Sequence, residues 1–485
     1  MRTPWGFYGR QNELGQLAAI LRRGRWFFLK LTGRRRIGKT SLVQEALKAH
    51  GPAQTLYLQI PDSDPAGVLA AAREFYELFQ IPEPHPSDLQ SLARSIGTLV
   101  RSGYVVAVDE FQYFLRRVLF DFNSYLQVEV DRLAAEADTV RGGLIVLGSI
   151  HTEMDALLED RTAPLFNRIT DQIDLPHLDL ASVLEILRTH ADSDPARLLF
   201  LWNLFEGVPK FFRDCHEQEV LGAERRTVLE RMFFLSSSPL RTEADNWFLR
   251  ELHGRYDMVL KFIARHPGCS NAEITQHARS LQPDSENQIG GYVKILRERY
   301  RMIERLQPVF AAPTARNGRF YIRDNFLRSW LAALAVPAAS VSFRPLGPLV
   351  DEADRRLADA EGHGLERLVG ALYEERSRKG LGDFSLTERI TGYWDRQGTE
   401  IDLVALNEDQ RVVRLGTCKR NADRLIRDLP EFDGHIARFV GAMRRLRDWR
   451  VERVAVTPRH TLESRQTATS RGYVPQDLVD LTTGL

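Results

Sequence analysis

The chain has 485 residues, of which 43% are hydrophobic and 27% charged, with a formal net charge of +1. That length suits about three domains, the composition is that of an ordinary globular protein, and the near-neutral balance excludes a polybasic nucleic-acid binder, so any such surface must be local. No apolar run of about 18 residues predicts a membrane-spanning helix, the start MRTPWGFYGR lacks a secretory apolar stretch, and the scattered Cys215, Cys269 and Cys418 have neither metal-ligand spacing nor a disulfide framework, which points to a reducing cytoplasm.

In chain order, the first informative element is RWFFLKL, an apolar run suited to a buried strand, followed at 33–40 by GRRRIGKT and then by SLVQEALKAH. Leu42, Ala46 and Leu47 share a helical face, so the spacing predicts strand, glycine loop, helix. GRRRIGKT fills G-x-x-x-x-G-K-[ST] without a mismatch, and the template carries its own chemistry. Gly33 and Gly38 let the backbone N–H groups of Arg34, Arg35, Arg36 and Ile37 wrap phosphate oxygens, where a Cβ would obstruct. Lys39 supplies a charge for the β- and γ-phosphates, Thr40 a hydroxyl for Mg²⁺, and Ser41 closes the loop.

At 104–111, YVVAVDEF is a second strand ending in two acids. Asp109 suits the Mg²⁺ shell, and Glu110 beside it suits a general base that polarises the attacking water. A strand near LYLQI (56–60) is expected between the two motif strands. That arrangement resembles the additional-strand-catalytic-glutamate branch of P-loop ATPases. The third run, GLIVLGS at 143–149, ends in Ser149, and in that branch a polar residue at this tip often senses the γ-phosphate. APLFNRIT places Arg168 before the strand TDQIDL; it suits a γ-phosphate sensor within its own or a neighbouring subunit, or a surface salt bridge.

FYGRQNEL at 7–14, with Gly9 and Arg10, resembles the h-x-G-R-E-x-E-L segment that opens AAA+-related and STAND-type ATPases near the adenine, with Gln11 in place of the usual glutamate. EGVPKFF at 206–212 resembles the G-x-P motif of the STAND helical lid, which would set Gly207 and Pro209 close to the nucleotide. As a whole the chain resembles prokaryotic ATPases first catalogued mainly in archaea, which carry a winged helix and a C-terminal domain of unknown function. The resemblance implies an α/β multidomain protein with ATP and Mg²⁺ as cofactors. Its parts are a parallel-sheet core (1–175), a helical lid (176–250), a winged helix (251–330), a linker (331–350) and a C-terminal α/β domain (351–485).

Leucine at helical spacing in LASVLEILRTH and ARLLFLWNLF suits the lid. From 256, YDMVLKFIARH, SNAEITQHAR and SENQIGGYVKILRERYR predict three short helices, and MIERLQPVFAA with RFYIRDN predicts a hairpin. The third helix would turn Asn287, Gln288, Lys294 and Arg297 outward, with Arg316 on the wing, types that suit double-stranded DNA. Asp284, Glu286 and Glu298 interrupt that face, so protein docking stays open as an alternative. The proline-punctuated 335–352 reads as a linker. Beyond it, a helix with Glu366, a hairpin with Glu400 and Asp402, and a strand leading to Lys419 resemble the PD-(D/E)xK restriction-endonuclease-like fold. In active members the two acids bind Mg²⁺ and the lysine activates water. Here the second acidic position is Thr417, which offers a hard cation no anionic oxygen. Arginines 444, 445, 447, 450 and 453 bunch nearby on what reads as a solvated face.

The expectation is an ATP-hydrolysing switch of the STAND-like branch, acting on or near DNA, without a membrane span and with homo-oligomerisation open through Arg168. Two alternatives stand beside it: a DNA-binding regulator for which nucleotide is only a switch, and an ATP-gated, Mg²⁺-dependent nuclease.

Overall fold

The structure is a computed structural model and describes residues 3–50, 54–81, 84–244, 255–281, 286–312 and 314–485. Asp284 and the side chains of Glu286, Asn287 and Gln288 lie outside the described residues. The chain forms two compact units, one of Gly9–His177 with Val208–Lys210, the other of Met1–Tyr8, Leu178–Gly207 and Phe211–Leu485.

The first unit is built on five strands: β1 (Phe27–Gly33), β2 (Thr55–Gln59), β3 (Val105–Asp109), β4 (Gly143–Gly148) and β5 (Asp171–Leu175). They run parallel in the order β2-β3-β4-β1-β5. Parallel neighbours need crossovers, and the crossing helices cover both faces, which is why β1, β3 and β4 are mostly apolar and buried throughout. The one charge inside β1, Lys30, is buried and reaches Asp155 at 2.7 Å on the helix His151–Leu158. Registers pairing Thr32 with Gly148 and Val108 with Val146 bring the carboxyl ends of β1, β3 and β4 to one edge of the sheet.

One expectation is corrected here. The strand between the motif strands β1 and β3 is β4, and the LYLQI strand lies outside them at the edge as β2. Strand order is set by where each crossover lands, which linear spacing does not encode. The wholly buried β4 suits the central place, whereas Gln59 at the tip of β2 is exposed.

The second unit contains the helices Leu180–His190, Pro195–Phe205, Pro209–Glu217 (less its first two residues) and Arg225–Leu229. Three helices, Arg255–Arg265, Asn271–Leu281 and Glu286–Glu298, lead into an antiparallel pair, β6 (Ile303–Leu306) and β7 (Arg319–Ile322). Ser270 caps the middle helix, its backbone N–H donating to Glu273 Oε2 at 2.7 Å, and Ile289, Val293 and Leu296 bury one face of the third. A second sheet has the order β12-β11-β10-β9-β8, from β8 (Thr391–Trp394), β9 (Glu400–Asn407), β10 (Val412–Cys418), β11 (Arg450–Thr457) and β12 (Val474–Asp477). β8, β9 and β10 are antiparallel, while β10, β11 and β12 are parallel.

The expected linker is not irregular. Ala335–Ala339 is helical, and a single helix of 33 residues runs from Leu346 to Arg378, about 50 Å long. Pro348 falls in the first turn of the long helix, where the missing N–H breaks no intrahelical bond, whereas Pro337 follows directly on the π-helical turn Trp330–Leu334 within one helical run. Only Pro348 therefore marks a helix start. The long helix is fastened to its neighbours by buried charge: Glu361 accepts from Arg225 and from Arg420 at 2.9 Å, and Glu375 accepts the Leu180 and Ala181 N–H groups at 2.6 and 3.1 Å, capping the helix they begin.

Candidate active site

The loop between β1 and the helix Lys39–His50 has the backbone the glycine template calls for. Gly33 has φ +152° and Gly38 φ +94°. A Cβ on Gly33 would stand 2.9 Å from the Leu175 carbonyl oxygen of β5, whereas one on Gly38 would meet only Pro209 Cγ at 3.6 Å. Gly33 is thus required by close approach as well as conformation, Gly38 by conformation alone. Ile37 is wholly buried and anchors the loop, Arg35 and Ser41 are exposed, Arg34 and Arg36 are half-buried, and Arg36 also takes a positive φ of 66°. Arg10, itself buried at φ 67° beside Gly9 at 63°, donates to Ile37 O at 3.1 Å and Pro176 O at 2.7 Å. Its guanidinium braces the loop backbone against the end of β5.

Lys39 Nζ lies inside this cradle, donating to Gly33 O at 2.9 Å, Arg34 O at 3.2 Å and Ser149 Oγ at 2.9 Å. Burial lowers its pKa to about 8, although Asp109 and Glu110 pull it upward. Thr40 Oγ1 donates to Asp109 Oδ2 at 2.7 Å. Asp109 Oδ1 accepts the Glu110 N–H at 2.8 Å. Glu110 follows the strand tip at φ 57°, in the left-handed region at the end of β3. The structure thus brings Lys39, Thr40, Asp109, Glu110 and Ser149 together.

Two further residues join this group without any signal in the template. Tyr57 on β2 donates its hydroxyl to Asp109 Oδ2, and Gln112, buried just beyond β3, donates to Glu110 Oε2. Arg168 stands apart: it forms a two-pronged bond with Asp131, 2.7 Å from Nε to Oδ1 and 3.0 Å from Nη2 to Oδ2, and also donates to Phe166 O. Of the G-x-P pair, Gly207 O accepts the Leu178 N–H at 2.8 Å, and Pro209 opens the helix Pro209–Glu217 and faces Gly38.

The oxygens of Thr40 and Asp109 are hard donors of the kind Mg²⁺ takes alongside phosphate and water, so the residues present fit the cation that the template implies.

In the other unit, one oxygen of Asp402 already takes three donors. Its Oδ2 accepts Thr417 Oγ1 at 2.9 Å, the Cys418 N–H at 2.9 Å and Lys419 Nζ at 3.2 Å. Burial, and then the charge of Asp402, push the Glu366 carboxyl well above its ordinary range. Glu400 pairs with Arg319 of β7. Among the described residues no group of three or more His, Cys, Asp or Glu is placed to hold a metal ion. Lys294 and Arg297 both pair with Glu298, at 3.9 and 2.5 Å, and Arg316 is exposed.

No family model matches the chain. An uncharacterized protein of Methanocaldococcus jannaschii is 22% identical over 440 residues, covering 87% of this chain and 91% of that protein. Among solved structures, the Walker-type ATPase PABY2304 of Pyrococcus abyssi superposes with a TM-score of 0.51 at 17% identity, covering 67% of this chain and 96% of that one. The chain therefore contains the α/β core fold of a Walker-type ATPase. The ORC2 protein of Aeropyrum pernix is a looser likeness, at TM-score 0.46 and 15% identity over 74% of this chain and 96% of that one. Among the described residues no helix is long and apolar enough to cross a membrane.

Proposed function

We propose that the chain binds and hydrolyses ATP with Mg²⁺ and uses the nucleotide state as a switch of the STAND-like AAA+ kind. The observation that carries this reading is the bond from Thr40 Oγ1 to Asp109 Oδ2, made next to a buried Lys39 and with Glu110 adjacent. Bound Mg²⁺ would supply charge neutralisation at the β- and γ-phosphates. Lys39 and the N–H groups of the 33–40 loop hold the phosphates, Ser149 reports the γ-phosphate, and Glu110 takes the proton of the attacking water. Gln112 holds Glu110 until that step, and Arg10, with Gly9, keeps the loop in shape. Arg168, engaged by Asp131, would reach a γ-phosphate only in a neighbouring subunit. Gly207 and Pro209 begin the lid.

We read the three helices with β6 and β7 as a winged helix, and the sheet β8–β12 as a PD-(D/E)xK-like domain. The mixed order, antiparallel then parallel, supports the second reading. Asp402, taken up by three donors beside Thr417, speaks against cutting, so double-stranded DNA enters as a partner to be bound through Lys294, Arg297 and Arg316.

The test is ATP turnover by the purified chain. Lys39→Ala is expected to abolish hydrolysis, while Glu110→Gln is expected to bind ATP without turnover. Wild-type hydrolysis in Lys39→Ala sinks the reading. Plasmid incubated with Mg²⁺ or Mn²⁺ should stay intact, and cutting that Asp402→Ala removes would restore the nuclease alternative.

A further inference from the structure

Tyr57 belongs to no phosphate-binding motif, yet its hydroxyl reaches the middle of the site. It stands on β2 opposite Ala107 of β3. Side chains alternate faces along a strand, so Tyr57 shares a face with Ala107 and with Asp109 two residues further on, at the diagonal spacing that a long side chain can span. Its ring is buried, and its hydroxyl donates to Asp109 Oδ2, the same oxygen that accepts Thr40 Oγ1 at 2.7 Å. The other oxygen accepts the Glu110 N–H at 2.8 Å. Three donors thus fix both torsions of a short carboxylate.

Thr40 would have two duties here, its proton going to Asp109 and its hydroxyl oxygen serving to hold the cation. Tyr57 has only the first. We propose that Tyr57 is a positioning residue for the divalent cation that accompanies the nucleotide, holding Asp109 Oδ2 beside Thr40 in the orientation the metal's water shell requires. This inference rests on the MgATP reading above. If Tyr57 were only a core side chain, loss of its hydroxyl would alter stability and leave metal coupling alone.

The experiment measures equilibrium binding of a non-hydrolysable ATP analogue to the full chain, with EDTA and across a Mg²⁺ titration. Tyr57→Phe keeps the ring and removes the hydroxyl. The factor by which Mg²⁺ tightens binding is expected to fall about threefold to tenfold, with the half-saturating Mg²⁺ concentration rising to match. Asp109→Asn should remove the Mg²⁺ gain, and adding Tyr57→Phe to it should cost nothing more, because the two act as one unit. An unchanged gain in Tyr57→Phe overturns the inference, and so does an equal loss with and without Mg²⁺ or full additivity in the double variant. If the wild-type chain shows no Mg²⁺-dependent binding, the MgATP reading falls and takes this one with it. A wild type that binds MgATP beside a Tyr57→Phe that binds it equally defeats only the present inference.

Discussion

Raising the pH through the range of the Lys39 ammonium should weaken nucleotide binding while strengthening the nucleotide-free fold. Lys39 is 6% exposed, and burial brings it from 10.5 to about 8, with Asp109 and Glu110 opposing. Phosphate binding needs the charged form, so the association constant follows the protonated fraction. For a group titrating near 8, that fraction drops about eightfold between about pH 7.5 and about pH 9, or about 1.3 kcal/mol. Stability moves the other way. The folded chain gives up this proton near 8 while the unfolded chain holds it to about 10.5, so the unfolded state binds more protons across that window and stability rises with pH. Lys39→Arg keeps a cation that does not titrate there. The assay pairs nucleotide binding at fixed Mg²⁺ with thermal melts of the ligand-free chain, for both proteins. Affinity that stays flat in the wild type, or an equal fall in Lys39→Arg, refutes the argument that burial sets this group.

Two other perturbations separate causes that a single substitution would confuse. Gly38→Ala meets only an ordinary contact with Pro209 Cγ at 3.6 Å, so its cost is the φ of +94° alone, about 1–2 kcal/mol. Gly33→Ala adds a contact of 2.9 Å with the Leu175 carbonyl and should lose more in chemical denaturation; equal losses would mean that β5 gives way freely. In the second unit, the folded Glu366 carboxyl holds a proton that the unfolded chain releases, so this group costs stability as pH rises from the ordinary carboxylate range through its raised value. Glu366→Gln should raise the melting temperature at neutral pH, and the gain should vanish near about pH 4. No gain at neutral pH would mean that Lys419 already satisfies the charge.

The phosphate-binding loop is legible because its demands are local. A loop that turns N–H groups inward needs glycine at two fixed offsets, and Lys39 and Thr40 follow within one helical turn. Asp109 and Glu110 are legible for a related reason: an acidic pair ending a fully apolar run marks the carboxyl edge of a buried strand. The place of β2 is not legible in this way. LYLQI and GLIVLG are both short apolar runs, and which lies between β1 and β3 depends on crossovers across more than a hundred residues of chain, about the span of a small domain. Tyr57 was hidden for the same reason, because only the pairing of β2 with β3 brings its hydroxyl to Asp109. Gln112 lay close in sequence, but a glutamine two residues after an acid carries no periodic signal.

Proline misled in the middle of the chain because it has two structural meanings. It breaks a helix interior and it favours a helix start, and the residues around it decide between them. Between 330 and 357 the deciding residues are Trp330, Leu331, Leu334, Leu349, Val350, Ala353 and Leu357, all buried, several of them at the three- and four-residue spacing of a helix face. That apolar spacing builds two helical runs, the first ending at Ala339 and the second, Leu346–Arg378, with Pro348 in its first turn and both Glu361 and Glu366 along it. The same helix therefore presents one glutamate to Arg225 and Arg420 and another toward Asp402. A flexible linker would have left the C-terminal sheet free of the helices Leu180–His190 and Arg225–Leu229. Glu361 and Glu375 instead fasten both helices to the long one, so a rearrangement of either must work against buried, charge-assisted bonds, each worth about 1.5–3 kcal/mol.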